Sequence, residues 1–255
     1  MIKIIRLAKP QILQKRGSEW TQRLCDNLKN YYQAVQAYEE GKSQHRPPQP
    51  EASASHYAHQ QIKRQLDRMF GNKCAFCESI VTAVSYQNVE HFRPKSIYPS
   101  LAYEWENLLF ACTVCNSGYK KTQFPLLDNS QPALDENNPC ALDASDTNAL
   151  INPCEEDPQD FFSFDDEWIA CLNKRAEITR DVCGLNREAL LDERREWLGV
   201  IETTAKAVLL AKKLGANSAE EEFTTRLKRY VQPSKKYYAM ACVKLAAIGV
   251  NINEL

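Results

Sequence analysis

The chain contains no apolar run approaching the eighteen or so residues that a membrane-crossing helix needs. Its opening, "MIKIIRLAKP", lacks the longer apolar core and small-residue cleavage site of a secretory signal, so a cytoplasmic setting is expected. There is no GxxxxGK loop to cradle nucleotide phosphates, and any nucleotide-driven control has to come from another polypeptide. Internal repeats, heptad arrays and low-complexity tracts are absent, which excludes solenoids and long coiled coils. Positive charge is missing from one stretch: residues 128–167 carry twelve Asp/Glu and no Lys or Arg. The net charge of −1 excludes a uniformly basic nucleic-acid binder, although the rest of the chain stands at +11.

With 255 residues, 44% hydrophobic and 25% charged, the chain can bury one sizeable core and a small satellite module. Four segments follow from composition and pattern. Residues 1–71 read as helical: Trp20, Leu24, Leu28, Tyr31, Val35 and Tyr38 share one face, with Ser18 as the expected cap. A second helix carrying Ile62, Leu66, Met69 and Phe70 is expected to stop at Gly71. Residues 72–127 change to short apolar or alternating runs and are the only part expected to form strands. The acidic, proline-containing residues 128–167 read as a solvated connector. Residues 168–255 return to helix, with an apolar stripe through Leu190, Trp197, Ile201, Ala205, Val208 and Leu209. Ser218 and Glu221 form a capping box for the next helix, and Gly249 ends a last one. The fold class is therefore α+β and mostly helical, with a small module embedded between helical ends.

Four of the ten cysteines form two CxxC pairs, Cys74/Cys77 and Cys112/Cys115, with thirty-four residues between Cys77 and Cys112. Each spacing lets two thiolates aim at one centre, and two such knuckles supply four soft ligands for a structural Zn²⁺. A redox dithiol explains one CxxC but not a second copy, and no thioredoxin-like βαβ pattern surrounds either. Cys25, Cys140, Cys154, Cys171, Cys183 and Cys242 read as reduced, mostly buried small hydrophobes. His45, His56 and His59 read as ordinary satisfied side chains.

Between the knuckles stand Glu90-His91 and Asn107, with Asn116 directly after the last cysteine. A strand ending near Phe92, a second from Leu108 and a short helix near Asn116 form a ββα unit in which Glu90, His91 and Asn116 can converge. These residues resemble the HNH (ββα-metal) nucleases, whose pattern runs carboxylate-His, Asn, then His or Asn at the helix start. The wider context, "VEHFRPK", "WENLLFACTVCNSGYK", "INPCEEDP" and "GLNREALLDERR", is similar to the PtuB-like HNH effectors of Septu-type and retron-associated anti-phage systems.

The resemblance implies an endonuclease in which His91 is the general base and Glu90 and Asn116 hold a catalytic Mg²⁺ or Mn²⁺. It makes Asn107 structural and leaves Arg93, Lys95 and Lys120 as phosphate anchors. DNA is the favoured substrate, with RNA an alternative. The implied partners are a PtuA-like ABC/SMC-type ATPase and a retron reverse transcriptase with its DNA. The competing reading is a non-catalytic zinc module that binds nucleic acid or a protein, for which Glu90, His91 and Asn116 need not meet.

Overall fold

The computed structural model describes residues 1–81, 88–128, 130, 132–141 and 147–252. Parts of the expected strand run at 79–92 and of the acidic connector lie outside them. The chain separates into two compact units, one formed by Ile5–Met69 and Gln87–Leu150, the other by Met1–Ile4, Phe70–Tyr86 and Ile151–Leu255.

In the first of these, α1 (Gln11–Glu39) begins after Pro10, whose fixed φ suits a helix start. Ser18 therefore lies inside the helix and caps nothing; the apolar period extends back to Leu13, a full turn before the hydroxyl. Leu13, Trp20, Leu24, Leu28 and Val35 are buried, as their spacing requires, Tyr31 is half-buried, and Tyr38, assigned to the same face, is exposed. Gly17 is buried among them, and a Cβ there would make ordinary van der Waals contact, 3.7 Å from the Tyr103 carbonyl oxygen. Trp20 stacks on His56 at 4.2 Å and meets Tyr103 edge-on. The short α2 (Ala54–Tyr57) follows the proline-rich break, then α3 (Gln60–Phe70) buries Ile62, Leu66 and Phe70, and Gly71 ends it at φ +59.

β1 (Asn88–His91) and β2 (Leu108–Ala111) form an antiparallel hairpin that pairs Glu90 with Leu109 and His91 with Leu108. The residues before the helices, which carry little sequence signal, secure it. Arg6 donates to the carbonyls of Trp105, Glu106 and Leu108, and the Trp105 indole N–H donates to Leu7. After β2 the chain enters a π-helical turn, Val114–Lys120. Cys25 and Cys140 are joined in a disulfide with their Cα atoms 5.8 Å apart, which corrects the reading of both as reduced. Their separation of 115 residues hid the pairing, and the cytoplasmic expectation argued against it. Of the remaining scattered cysteines, Cys183 is buried, while Cys154, Cys171 and Cys242 are half-buried.

The second unit contains a hairpin that the sequence reading placed in connector and helix: β3 (Phe162–Asp165) pairs antiparallel with β4 (Trp168–Cys171). Its turn passes through Asp166 at φ +50, without the glycine that normally announces such a turn. Beyond it come α4 (Lys174–Val182), α5 (Glu188–Lys213), α6 (Asn217–Tyr230) and α7 (Tyr238–Ala247). Asn173 caps α4 by accepting from the Ala176 N–H at 3.0 Å. Ser218 is not the cap of α6, because the helix has already begun at Asn217 and its N-cap, Ala216, makes no side-chain bond. Ile201, Ala205 and Val208 of α5 pack with Leu227 and with Ala241 and Leu245 of α7 in one core cluster. Leu209, assigned to the stripe, stands 38% exposed beside it. Among the described residues no helix is long and apolar enough to cross a membrane.

Ile201 and Leu227 are fully buried, so replacing either with Ala is expected to cost about 2–5 kcal/mol. The same change at Leu209 should cost well under about 1 kcal/mol. Chemical denaturation of the three variants tests this, and a Leu209→Ala loss matching the others would contradict the assigned core.

Candidate functional site

The hairpin and the π turn bring Glu90, His91 and Asn116 to one cavity of about 410 Å³, which Tyr57, Lys95 and Ser117 also line. Pairing with Leu109 and Leu108 fixes the direction of the two β1 side chains. Glu90 is 3% exposed, and its Oε1 lies 2.6 Å from the ammonium of Lys120, which is completely buried. The same ammonium donates to the His91 carbonyl at 3.1 Å. Burial raises the Glu90 pKa, while Lys120 and then Lys95 oppose the rise. Lys120 was expected on a phosphate, but its charge is directed inward onto this carboxylate.

His91 is 7% exposed, and its Nε2 lies 3.0 Å from the Ala102 carbonyl. A carbonyl only accepts, so Nε2 carries the hydrogen and Nδ1 keeps the lone pair. The Tyr57 ring meets the imidazole edge-on at 4.7 Å. Burial is the largest cause lowering the His91 pKa to about 4; the Ala102 bond works against this and Lys95 and Lys120 add to it. The ring is therefore neutral at pH 7.

Asn107 ties the intervening loop to the hairpin. Its Oδ1 accepts from the Arg93 N–H at 2.7 Å, and its amide donates to the carbonyls of Arg93 and Leu101. Arg93 places its guanidinium over the rings of Tyr98 and Phe124, at 5.2 and 4.9 Å, and is not among the residues lining the cavity. Lys95 does line it, with its ammonium 5.8 Å from the Tyr57 ring centre. Sequence reasoning missed Lys63 and Lys121, which also line it. Lys63 is remote in sequence, but Lys121 directly follows an expected site residue. It also holds φ +50, a strained value for a residue with a side chain, and such outliers gather at functional sites.

Cys74, Cys77, Cys112 and Cys115 are buried, and their four sulfurs lie within 4.8 Å of one another. Metal–sulfur bonds near 2.3 Å in a tetrahedron put sulfurs roughly 3.8 Å apart, so the cluster can hold a structural metal such as zinc after a small contraction. Local backbone supports each knuckle. Glu78 turns back at φ +61 so that its N–H reaches the Cys74 carbonyl, and the Cys115 N–H points at the Cys112 sulfur at 3.4 Å.

No family model matches the chain. It is 34% identical over 169 residues to the Septu protein PtuB of Bacillus mycoides (strain KBAB4), covering 60% of this chain and 56% of that protein. It is 30% identical over 189 residues to the Septu protein PtuB of Bacillus thuringiensis, covering 70% of this chain and 65% of that one. A further match, at 24% over 149 residues, is to the Septu protein PtuA of Bacillus mycoides (strain KBAB4) and covers 53% of this chain and 20% of PtuA. The matches thus span under two thirds of the length of each PtuB relative.

Two outcomes are expected at the site. Because the folded His91 holds its proton only below about 4, against 6.5 ordinarily, the unfolded chain binds that proton more readily between these values. The stability due to the neutral ring is full above about 6.5 and falls by up to about 3 kcal/mol as pH drops toward 4. Denaturation across this range should show the slope in wild type and a flatter one in His91→Asn; identical slopes would refute the assignment. Lys120→Met strands a buried carboxylate and should cost about 3–5 kcal/mol by the same measurement, where a neutral result would mean the pair is not formed.

Proposed function

We propose that the chain is a metal-dependent endonuclease of the HNH type, hydrolysing phosphodiester bonds of nucleic acid, DNA first. The observation that carries this reading is the meeting of Glu90, His91 and Asn116 at one cavity, with the imidazole neutral and bonded through Nε2. In this mechanism Nδ1 of His91 takes a proton from the attacking water. A pKa of about 4 makes the resting ring a weak base. An arriving phosphate anion offsets Lys95 and Lys120 and raises the proton affinity of the ring when a substrate is present. Lys95, Lys63 and Lys121 contact backbone oxygens, positioning the strand without reading its sequence. Asn107 keeps the loop carrying Lys95 in place through its three bonds.

The donors suit a hard divalent cation. Glu90 supplies a buried carboxylate, paired at Oε1 with the Lys120 ammonium. Asn116 adds an amide oxygen, and the cavity has room for the waters that Mg²⁺ or Mn²⁺ retains. When bound, such an ion supplies counter-charge to the oxygens that gain negative charge as the ester bond breaks.

The similarity to the two PtuB proteins supports a place in a Septu-type anti-phage system, with the chain as the effector and a PtuA-like ATPase as its partner. Co-purification with a PtuA-like product encoded nearby tests the partnership; a chain that stays alone and fully active would contradict it.

Mg²⁺-dependent cleavage of plasmid DNA and of total RNA tests the activity. His91→Ala is expected to lower the rate at least a hundred-fold with zinc content and fold retained. Asn116→Ala should weaken the response to Mg²⁺. Unchanged products in His91→Ala would favour a non-catalytic zinc module instead.

A further inference from the structure

A buried cation in the second unit lacks an obvious counter-charge. Arg194, on α5, is 1% exposed. Its Nη1 donates to the carbonyls of Leu185 at 2.8 Å and Glu167 at 3.2 Å, and its guanidinium faces the rings of Phe164 and Tyr237. Carbonyls and rings solvate a cation, but they carry no net charge. Among the described residues no carboxylate lies within ion-pair distance of it, and a fully enclosed charge without an opposite partner is costly. Glu78 is the buried acid of this region, and its carboxylate already faces two cations, the Lys73 ammonium at 3.4 Å and the Met1 amino group at 3.0 Å.

Glu78 still favours the charged Arg194, but less than a second source of negative charge, sulfur. Cys77 is buried, and its Sγ lies 3.3 Å from the Ser79 hydroxyl. That hydroxyl is 3.0 Å from the Tyr237 hydroxyl, and the Tyr237 ring is one of the two that Arg194 faces. Of the charges that favour a protonated Arg194 against the penalty of burial, the Cys77 thiolate is the largest. A divalent ion held by four thiolates leaves a surplus of two negative charges, which a buried site has to balance.

We propose that Arg194 is the built-in counter-charge of the metal–thiolate cluster, acting on the Cys74/Cys77 knuckle through Cys77, and is a positioning residue for the metal. This inference is independent of the nuclease reading. It gives a buried arginine on an apolar helix stripe a reason to be charged there, and it makes metal retention depend on a residue well over a hundred positions after its knuckle.

The test uses the full chain loaded with Zn²⁺ or Co²⁺, comparing Arg194→Leu and Arg194→Lys with wild type. With the charge removed, Zn²⁺ should pass to a chromogenic chelator at least ten-fold faster. The sulfur-to-cobalt charge-transfer band should move to longer wavelength, because thiolates without a nearby cation give up electrons more readily. Lysine should restore both toward wild type. A leucine variant with unchanged band and release rate would overturn the proposal. So would equal acceleration in both variants with the band in place, the signature of loosened packing alone. Should the leucine variant not fold, the lysine variant decides: wild-type band and release support the proposal, and loss of both overturns it.

Discussion

The candidate site depends on one buried ion pair, Lys120 with Glu90. Both groups are withdrawn from water, so their attraction is little screened, and losing either would leave a charge with nowhere to go. The Lys120 ammonium also bonds the His91 carbonyl, so one group joins Glu90 and His91 of β1 to the π turn that follows β2. The wide turn makes this possible. Its i→i+5 bond, from the Lys121 N–H to the Asn116 carbonyl, spans one residue more than an α-helical bond. With that extra residue Lys120 points inward, Lys121 emerges at positive φ toward the cavity, and Asn116 lines the same cavity as Glu90.

Much of the fold was readable where one face of a long element is buried. α1 and α3 follow their apolar spacing, and α7 ends at Gly249, which holds φ +78, as the glycine signal required. The errors have separate physical causes. Ser18 and Ser218 are good capping residues by type, but a cap is set by where the backbone bonds begin, and Pro10 and Ala216 precede them. The β3–β4 hairpin has strands of four residues, too short for alternation to show against the acidic run around them.

At the site, the chemistry-bearing residues of the central module stood close together in sequence and were singled out there. Tyr57 arrives from a short helix that no apolar period announces and Lys63 from one that reads as scaffold, and no local signal ties them to a hairpin more than twenty residues away. Lys120 was misread because lysine is rarely enclosed, and only its contact with Glu90 reveals the exception. Arg194 is the same case on α5, where an apolar stripe hid one charged member.

The Cys25–Cys140 bridge has a topological consequence. It ties the middle of α1 to a point beyond the π turn, so the hairpin, the cavity and the exposed stretch around residues 41–50 all belong to one closed ring of chain. A protease that cuts this stretch opens the ring without releasing either piece: the two fragments would run together on a gel and separate only once a reductant has been added.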